Sequence, residues 1–423
     1  MKAIFKLIFI GFTAAVIFKY LEEKGIHVKA GVESLIQLIE NTDWEEVFDI
    51  NEQPVEEVVI EKNKEQTFEI NNLILSGTVA GKINENELYA VKGHVKNVLE
   101  VRIPLKNKER KKNYAKLDDH AFNFSDKHAK DILSLTKALT SVTKDELSKA
   151  RLIYSWIASH VRYDADIYNS GSMQDQSAET VFRRRNAVCA GFSRLFSEMA
   201  KAANIEVYVV TGFSKGYGYS NGQILYDTNH DWNVVVIKGK KHLIDVTWGA
   251  GYATVKNGRH VSVSKFDPFW FDTDPAAFIF THFPVDEKWQ LLDQKICVDE
   301  YWNMPKLSAS FFRIGFDGNT ILKNILSGNN ITFVNAYSTD AKAIAEVAPF
   351  IRRLERKRPV KFVFVSNEAK EMRIFNNGRS VPFIKKGNRF TITVVPVNGR
   401  LSVNITNEKE TSTYETLLEY DVI

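Results

Sequence analysis

The sequence predicts an α+β fold, because helical patterns come first in the middle of the chain and strand patterns follow them. Apolar residues recur with a 3.6-residue period over 144–160, and 190–204 is predicted to be a second long helix. Helices and strands grouped separately in this way are typical of α+β domains. The strand patterns of this central region lie at 206–210, 230–237 and 242–246.

The regions on either side of this centre are predicted to be β-rich. Short apolar runs at 68–75, 88–91 and 98–103 are separated by turn residues, which indicates a small β region. After Pro305 the pattern of apolar and turn residues changes to that of short strands. It predicts a β-sandwich-like module with one helix at 341–356. The predicted strands of that module are 308–316, 330–334, 360–365, 389–395, 401–405 and 413–420.

These patterns divide the chain into five predicted segments. Residues 1–25 are expected to be a signal peptide or membrane anchor, and 26–66 a helix followed by a linker. Residues 67–116 form the small β region, 117–300 the central domain, and 305–423 the β-sandwich-like domain.

The N-terminal segment resembles an export signal. Lys2 and Lys6 precede a run without charge from residue 7 to residue 18, which ends at Lys19. A full membrane span needs about 20 apolar residues, so the shorter run suits a signal peptide or a signal-anchor. A buried helix remains an alternative. Export would place the protein outside the cytoplasm, either secreted or anchored in the membrane by residues 4–18.

The composition is that of an ordinary folded protein with no bias toward nucleic acid. The 423 residues are 44% hydrophobic and 26% charged, and the net charge is only +4. The basic clusters at 106–112 and 352–358 are interpreted as solvated surface rather than anion sites. The sequence therefore predicts no nucleic-acid partner.

Cys189 is the strongest candidate for a reactive side chain. The chain has two cysteines, which excludes a disulfide scaffold. Cys297 has no neighbours that suggest chemistry, and it is interpreted as structural. Cys189 instead opens the predicted helix at 190–204, and the N-terminus of a helix favours a thiolate, the nucleophilic form of cysteine.

His230 and Asp245 complete a candidate triad. His230 begins one predicted strand, and Asp245 follows another strand 15 positions later. Adjacent antiparallel strands would bring the two side chains together, so that Asp245 orients His230 as a general base for Cys189. The backbone N–H of Cys189 is a candidate oxyanion donor. Either Gln174 or Gln176 could supply a side-chain donor, with an exposed loop glutamine as the alternative interpretation.

Other catalytic motifs are absent from the sequence. It contains no Gly-x-Ser-x-Gly, no P-loop and no His-Glu-x-x-His motif. The nine histidines show no metal-ligand spacing, no acidic loop suggests Ca²⁺, and the glycines at 212–218 lack the dinucleotide fingerprint. No cofactor and no metal are therefore predicted.

Several of these stretches together resemble the transglutaminase-like superfamily, in particular its kyphoscoliosis peptidase branch. The central match is Asn-Ala-Val-Cys-Ala-Gly-Phe at 186–192, with Asn-His-Asp-Trp-Asn at 229–233 and Leu-Ile-Asp-Val-Thr-Trp-Gly at 243–249. Two positions depart from the usual pattern, Ala187 in place of Gly and Asp231 in place of Ala. The other matching stretches are 149–157, 163–164, 184–185, 212–219, 250–251, 269–271, 281–284 and 289–292.

The resemblance implies a papain-like transglutaminase core, with a nucleophile helix packed on an antiparallel sheet and flanking β modules. It assigns Cys189 as nucleophile, His230 as base and Asp245 as the orienting acid, and places Gln174 near the superfamily's side-chain oxyanion donor. It further implies acyl transfer or hydrolysis at peptide or protein amide bonds, by a peptidase, an amidase or a cross-linking enzyme. The expected partner is a protein or peptide substrate, such as a cell-wall or surface protein. A noncatalytic surface scaffold with the same fold is the alternative.

Overall fold

A computed structural model describes residues 65–70, 73–78, 89–90, 98–103, 113–127, 129–329, 331–408 and 413–423. The predicted signal or anchor at 1–25 lies outside these residues, as does nearly all of the predicted linker at 26–66. In the part of the chain that is described, no helix has the length and apolar character needed to cross a bilayer.

The N-terminal strands do not form a separate sheet of three. Two of them, β1 (Glu65–Ile70) and β2 (Leu73–Thr78), pair as an antiparallel hairpin. The third, β3 (Tyr89–Ala90), pairs with a strand of the C-terminal region, and bridges at Leu99 and Arg102 also reach that region.

Helices dominate the first half of the central region, as the 3.6-residue periods predict. The long helix predicted at 144–160 is observed as Glu146–His160, and the helix predicted at 190–204 begins at Cys189. The helices, in chain order, are α1 (Ala115–Phe122), α2 (Ile132–Thr140), α3 (Glu146–His160), α4 (Asp166–Ser170), α5 (Ala178–Arg184), α6 (Cys189–Ala202), α7 (Val246–Ala250) and α8 (Pro275–Phe278), with 3₁₀ turns at Pro268–Trp270 and Glu287–Trp289.

A five-stranded antiparallel sheet follows these helices and supports α6. The strands of this region are β4 (Arg162–Tyr163), β5 (Asn186–Ala187), β6 (Glu206–Ser214), β7 (His230–Ile237), β8 (Lys240–Ile244), β9 (Gly251–Lys256), β10 (Arg259–Ser264), β11 (Phe271–Thr273) and β12 (His282–Pro284). The strand order of the sheet is β11-β8-β7-β6-β12, so the two strands predicted to carry His230 and Asp245 are neighbours at its centre.

Helix α6 packs on this sheet because its apolar residues lie on one face. Phe192, Leu195, Phe196 and Met199 follow the i, i+3, i+4, i+7 spacing of a helix and are all fully buried. Val234, on the facing strand β7, is buried in the same cluster. This arrangement confirms the α+β fold predicted for the chain.

The C-terminal region consists mainly of two antiparallel sheets with a shared apolar core. The elements are α9 (Val298–Asn303), α10 (Ala309–Arg313), α11 (Gly318–Leu326), β13 (Asn335–Ala336), β14 (Ile344–Val347), β15 (Arg353–Leu354), β16 (Val360–Val365), β17 (Glu371–Asn376), β18 (Arg379–Pro382), β19 (Ile384–Lys386), β20 (Arg389–Val395), β21 (Gly399–Thr406) and β22 (Glu415–Val422). One sheet has the order β13-β22-β21-β17-β18, and β15 also pairs with β22, in parallel. The other sheet has the order β14-β16-β20-β19, to which β3 adds at β20.

Two predictions for this region were wrong. The strand predicted at 308–316 is helix α10 and a turn, because its buried residues Phe311 and Ile314 are three apart, the spacing of a helix. The helix predicted at 341–356 is two short strands. Its buried residues alternate from residue 341 to residue 347, which is the period of a strand, and Pro349 lacks the N–H that a helix interior needs.

Helix α11 was also missed. Asp317-Gly318 has the composition of a turn, but the Asp317 carboxylate accepts a hydrogen bond from the Thr320 N–H at 2.8 Å and thereby caps a helix. Gly318 is needed at the next position, because a Cβ atom there would lie 2.6 Å from the backbone of Ala276.

Candidate active site

Cys189 is the first residue of helix α6 and lies half-buried on the wall of an open cleft. The chain before it is fixed by parallel pairing of β4 with β5, in which Tyr163 lies opposite Ala187. The buried Gln176 side chain accepts a hydrogen bond from the Val188 N–H at 3.0 Å. The strand pairing and the Gln176 side chain therefore fix the backbone that leads to Cys189, and with it the position of the sulfur.

Gly191, two residues after Cys189, is required by this packing. A Cβ atom at this position would lie 2.5 Å from Gln176 Oε1 and 2.8 Å from the Ala187 Cβ. Glycine lets the first turn of the helix approach the strand and the glutamine that hold the Cys189 segment in place.

His230 and Asp245 meet as the strand pairing predicts. Strands β7 and β8 are antiparallel with Asn233 opposite Ile244, so the next residue, Asp245, comes to the face of the sheet that carries His230. His230 Nε2 lies 2.8 Å from Asp245 Oδ2, and both residues are buried. The other carboxylate oxygen accepts a hydrogen bond from the Trp248 N–H at 3.0 Å, which fixes its orientation.

The imidazole of His230 interacts with the Cys189 side chain and is hydrogen-bonded to Asp245. Because Nε2 contacts the carboxylate, Nδ1 is the ring nitrogen left for the thiol. Burial alone would lower the pKa of His230, but the Asp245 carboxylate and the contact with Cys189 raise it above its usual value. Burial would raise the pKa of Asp245, but the two imidazoles beside it hold that pKa well below its usual range.

Asp231 does not disturb this arrangement. Its carboxylate accepts a hydrogen bond from the Thr211 hydroxyl at 2.6 Å, on the neighbouring strand. It follows His230 directly on strand β7, so its side chain points to the opposite face of the sheet. The charge that departs from the superfamily pattern is therefore directed away from His230.

His282 is a second histidine on Asp245, and the sequence interpretation missed it. Its Nε2 lies 3.0 Å from Asp245 Oδ2, the same oxygen that contacts His230, and its side chain is fully buried. Burial lowers the pKa of His282, and the charge of His230 acts in the same direction. The sequence signal was a lone histidine in the matching stretch Thr-His-Phe-Pro at 281–284, between two apolar segments.

Gln174 does not lie in the cleft. Its side chain is exposed, and its Oε1 accepts a hydrogen bond from Arg184 at 3.3 Å. Gln176 is buried but already uses its amide, since Nε2 donates to the backbone oxygen of Gln174 at 3.0 Å and Oε1 accepts from Val188. The geometry supports Gln176 as a residue that positions the Cys189 segment. The oxyanion role of Gln174 stays a prediction.

Among the described residues, one group of side chains could hold a metal ion. It consists of His230, Asp245 and His282, whose potential ligand atoms lie within 4.8 Å of one another. Sequence spacing could not reveal this group, because His230 and His282 lie on two different strands and Asp245 lies between a third strand and helix α7. Each ligand atom is already hydrogen-bonded to another member of the group. We therefore assign no metal to it.

Tyrosines form the cleft wall near Cys189. The hydroxyl groups of Tyr163 and Tyr168 are 3.0 Å apart, and the Tyr217 hydroxyl lies 3.1 Å from Nδ1 of His260. Tyr163 is close enough to Cys189 for the two groups to interact electrostatically. Rings and hydroxyl groups of these tyrosines therefore line the cleft in which Cys189 lies.

The comparisons with known proteins show what this chain is similar to. Residues 133–246 match the family described as the transglutaminase-like superfamily. The chain is similar to the kyphoscoliosis peptidase of Mus musculus, with 26% identity over 287 residues, which are 68% of this chain and 40% of that protein. It is also similar to the kyphoscoliosis peptidase of Homo sapiens, with 30% identity over 203 residues, which are 48% of this chain and 30% of that protein.

A solved structure described as a TGase aligns at 22% identity with a TM-score of 0.22, over 40% of this chain and 41% of that one. The chain spans less than half the length of the two curated relatives named above.

Proposed function

Because the chain belongs to the transglutaminase-like superfamily, in its kyphoscoliosis peptidase branch, we propose that it is a cysteine-dependent enzyme that acts on peptide or protein amide bonds. The observation that carries the proposal is the connected row of Cys189, His230 and Asp245, with Cys189 and His230 on the wall of an open cleft. Since one fold can serve many functions, the proposal rests on the side chains of the site rather than on the fold.

In the first half of the reaction, the Cys189 thiolate attacks the carbonyl carbon of the amide, and a C–S bond forms. The negative charge that develops on the oxygen is stabilised by the backbone N–H of Cys189, because the first N–H groups of a helix have no acceptor within it. The His230 imidazolium then gives its proton to the nitrogen as the C–N bond breaks. A thioester remains on Cys189, and Asp245 keeps His230 oriented throughout.

In the second half, a nucleophile attacks the thioester carbonyl and His230 accepts its proton. With water the products are a carboxylic acid and the free thiol, and the enzyme is a peptidase or amidase. With a lysine amine the product is a new amide, and the enzyme is a cross-linker. The raised pKa of His230 suits its first task, because the imidazole is protonated when the leaving amine needs a proton.

A peptidyl vinyl sulfone, which alkylates cysteines activated by an imidazole, tests the proposal. The chain offers a matched control, because Cys297 is also free and is more exposed than Cys189. We expect labelling of the wild type and of Cys297→Ala, and none of Cys189→Ala. Absence of labelling at Cys189 in a folded wild type would favour the noncatalytic scaffold instead.

The reaction type is tested by mass spectrometry after incubation with a mixture of proteins and cell-wall peptides. New termini indicate a peptidase, loss of ammonia without cross-links indicates an amidase, and loss of ammonia with cross-links indicates a cross-linking enzyme. Products that also form with Cys189→Ala would exclude this cysteine as their source.

The proposed place of action is outside the cytoplasm, on a cell-wall or surface protein. Its support is the sequence of the first 19 residues alone, with Lys2 and Lys6 before an uncharged run. Cell fractionation of the full chain and of a chain that begins at residue 26 tests it. Equal retention of both in the cytoplasm would contradict the proposal.

A further inference from the structure

We propose that His282 is a positioning residue of this active site: as a neutral imidazole it donates a hydrogen bond to Asp245 and keeps that carboxylate oriented toward His230. The inference rests on the proposed function, because it gives His282 a part in the same reaction. It also makes a claim about the protonation of His282 that can be tested without any activity.

The first support is the set of donors around Asp245, which is fully buried. Its Oδ2 lies 2.8 Å from His230 Nε2 and 3.0 Å from His282 Nε2, and its Oδ1 accepts from the Trp248 N–H at 3.0 Å. Of these three groups only His230 also contacts Cys189. The other two can only hold the carboxylate in place.

The second support is the direction of these hydrogen bonds. The low pKa of Asp245 means that the carboxylate is ionised and can only accept, so both Nε2 atoms must carry hydrogen. The Nδ1 of His282 lies 2.9 Å from the Thr281 hydroxyl, which can donate to it or to the Phe278 backbone oxygen 3.3 Å away. That oxygen also interacts with the His282 ring. With the Thr281 hydroxyl as donor, a neutral His282 with hydrogen on Nε2 has a partner for both of its ring nitrogens.

The third support is the apolar enclosure of His282, which opposes a second positive charge beside His230. The His282 ring is stacked on Phe278 at 4.0 Å between centroids, with Trp248 at 4.5 Å, Trp232 at 5.3 Å and Trp270 at 5.4 Å. Such a pocket holds the ring rigidly and disfavours the charged form.

Few other ionisable groups face this cluster among the described residues. Cys189 acts on it through His230, and the buried phenol of Tyr154 is close enough to Asp245 to be affected by its charge. A change in the protonation of the cluster can therefore be assigned to its own members.

The functional consequence follows from the order of contacts. Asp245 contacts His230, and His230 interacts with Cys189. In the proposed mechanism the second contact is a thiolate–imidazolium pair, which depends on the orientation of His230. An unpaired thiol has a pKa of about 8.5 and is almost fully protonated at pH 6. Fast alkylation of Cys189 at pH 6 therefore indicates a thiolate paired with the His230 imidazolium. At pH 9 a thiol is ionised whether it is paired or not.

The protonation claim is tested by NMR of the full chain with ¹⁵N-labelled histidine. We expect one buried imidazole to keep the neutral form with hydrogen on Nε2 from pH 5 to pH 8, and His282→Gln identifies its signals. An imidazolium at position 282 at pH 7, or hydrogen on Nδ1 in the neutral ring, would overturn the proposal.

The positioning claim is tested by iodoacetamide alkylation of Cys189 in a Cys297→Ala background. We expect His282→Leu to slow alkylation about tenfold at pH 6, the equivalent of about 1.4 kcal/mol, with no difference at pH 9. His282→Gln keeps an N–H donor and is expected to restore most of the rate at pH 6. Thr281→Val removes the donor to Nδ1 and is expected to give a smaller loss.

His242→Leu is the matched control. His242 is another buried histidine paired with a carboxylate, that of Asp272 at 2.8 Å, and it has no contact with Asp245 among those observed. We expect this variant to lose thermal stability but to keep the alkylation rate at pH 6. Equal loss of rate in both leucine variants would show a general effect on the fold and would overturn the positioning role.

The outcomes separate this proposal from the proposed function. If a folded His282→Leu variant reacts at pH 6 as fast as its parent, His282 does not position Asp245. If Cys189 itself reacts at pH 6 no faster than Cys297, the proposed function fails, and the NMR experiment still decides the state of His282. If His282→Leu does not fold, Thr281→Val and the NMR experiment carry the test.

Discussion

The central and C-terminal regions bury different kinds of polar side chain. In the described residues after 330, the buried polar side chains are all neutral, whereas in the central region many of them can carry charge. The C-terminal set is Thr339, Ser366, Asn376, Asn404 and Thr406. The charged or titratable set of the central region is Arg151, Asp164, Lys215, His230, His242, Asp245 and His282.

The contacts of the two sets differ as well. Asn376 in the C-terminal module bonds only to backbone, accepting from the Val397 N–H at 2.7 Å and donating to the Arg400 oxygen at 3.0 Å. In the central region His230 and His282 converge on the side chain of Asp245. Because burying a charge costs more free energy than burying a neutral amide, the central region gives up stability that the C-terminal module keeps. Such groups are concentrated where chemistry needs them.

The largest effect that this comparison predicts is loss of activity in Asp245→Asn. The amide can still cap helix α7 but cannot accept hydrogen bonds from two imidazoles as a carboxylate does. In a Ser-His-Asp triad the same change lowers kcat about 10⁴-fold, and we expect a loss of that order here. The measurement is kcat on a peptide substrate, with thermal unfolding as a check on the fold.

Asp118→Asn is the control for that prediction. Asp118 accepts two hydrogen bonds from the buried Arg151, at 2.7 and 2.8 Å, and so is also a structural carboxylate of the central region. We expect it to lower stability with kcat nearly unchanged. Similar kcat values for the two variants would contradict the special role of Asp245.

The second prediction concerns the apolar core of the C-terminal module. Phe362 is fully buried, and its ring packs edge-on against Tyr420 at 5.7 Å between centroids. Phe362→Ala is expected to lower the free energy of unfolding by about 3–5 kcal/mol, because it removes buried area and leaves a cavity. Urea denaturation measures this loss. The alkylation rate of Cys189 in the folded protein should not change, and a change would show that the two regions are energetically coupled.

Some strands were predicted at their observed limits in both regions, but the C-terminal region also contains segments that were predicted with the wrong secondary structure. In the central region, strand β7 was predicted at its observed limits, since its apolar content and its flanking polar loop agree. In the C-terminal module, β16 and β20 were also predicted at their observed limits, because their apolar residues alternate with polar ones or follow one another without interruption. The segment 341–356 failed because its alanines suggest a helix, while the alternation of its buried positions was the informative signal.

For the candidate site, local patterns placed Cys189, His230 and Asp245 but could not place their surroundings. These three residues lie at the start or end of recognisable elements, so the pairing of two adjacent strands was enough to bring His230 and Asp245 together. His282 lies on β12, at the far edge of the sheet and 37 residues after Asp245. Its contact depends on the order of strands in the sheet, which alternation within a strand does not specify.

The third prediction concerns Lys215, an exception to the pairing found elsewhere in the central region. This fully buried ammonium donates to the backbone oxygens of Tyr301 and Met304, at 2.5 and 2.6 Å, and to no carboxylate among its observed contacts. Burial lowers the pKa of Lys215 to about 7. In the unfolded chain its pKa is about 10.4, so between those values the unfolded state binds more protons.

The sign of the pH effect follows from that difference. Below pH 7 the folded protein carries the full free-energy cost of burying the Lys215 ammonium. As the pH rises from 7 toward 10 the folded protein buries the neutral amine instead, and this cost disappears. This group should therefore make folding more favourable with rising pH, by at most about 1.4 kcal/mol per pH unit. Thermal unfolding at pH 6 and pH 9 should show a larger gain for the wild type than for Lys215→Met. Parallel curves for the two proteins would mean that Lys215 is paired more strongly than these contacts indicate.

The smallest predicted effect tests the neutral polar contacts of the C-terminal module. The Tyr420 hydroxyl is buried and donates to the backbone oxygen of Pro349 at 2.9 Å. Tyr420→Phe keeps the ring and removes only this hydrogen bond, so we expect the free energy of unfolding to fall by about 1 kcal/mol. Urea denaturation resolves a change of this size when the slope of the transition is unchanged. A loss as large as that of Phe362→Ala would mean that a single neutral hydrogen bond stabilises this module as strongly as a whole aromatic ring. The contrast between buried neutral groups in this module and buried charged groups in the central region would then not rest on their energies.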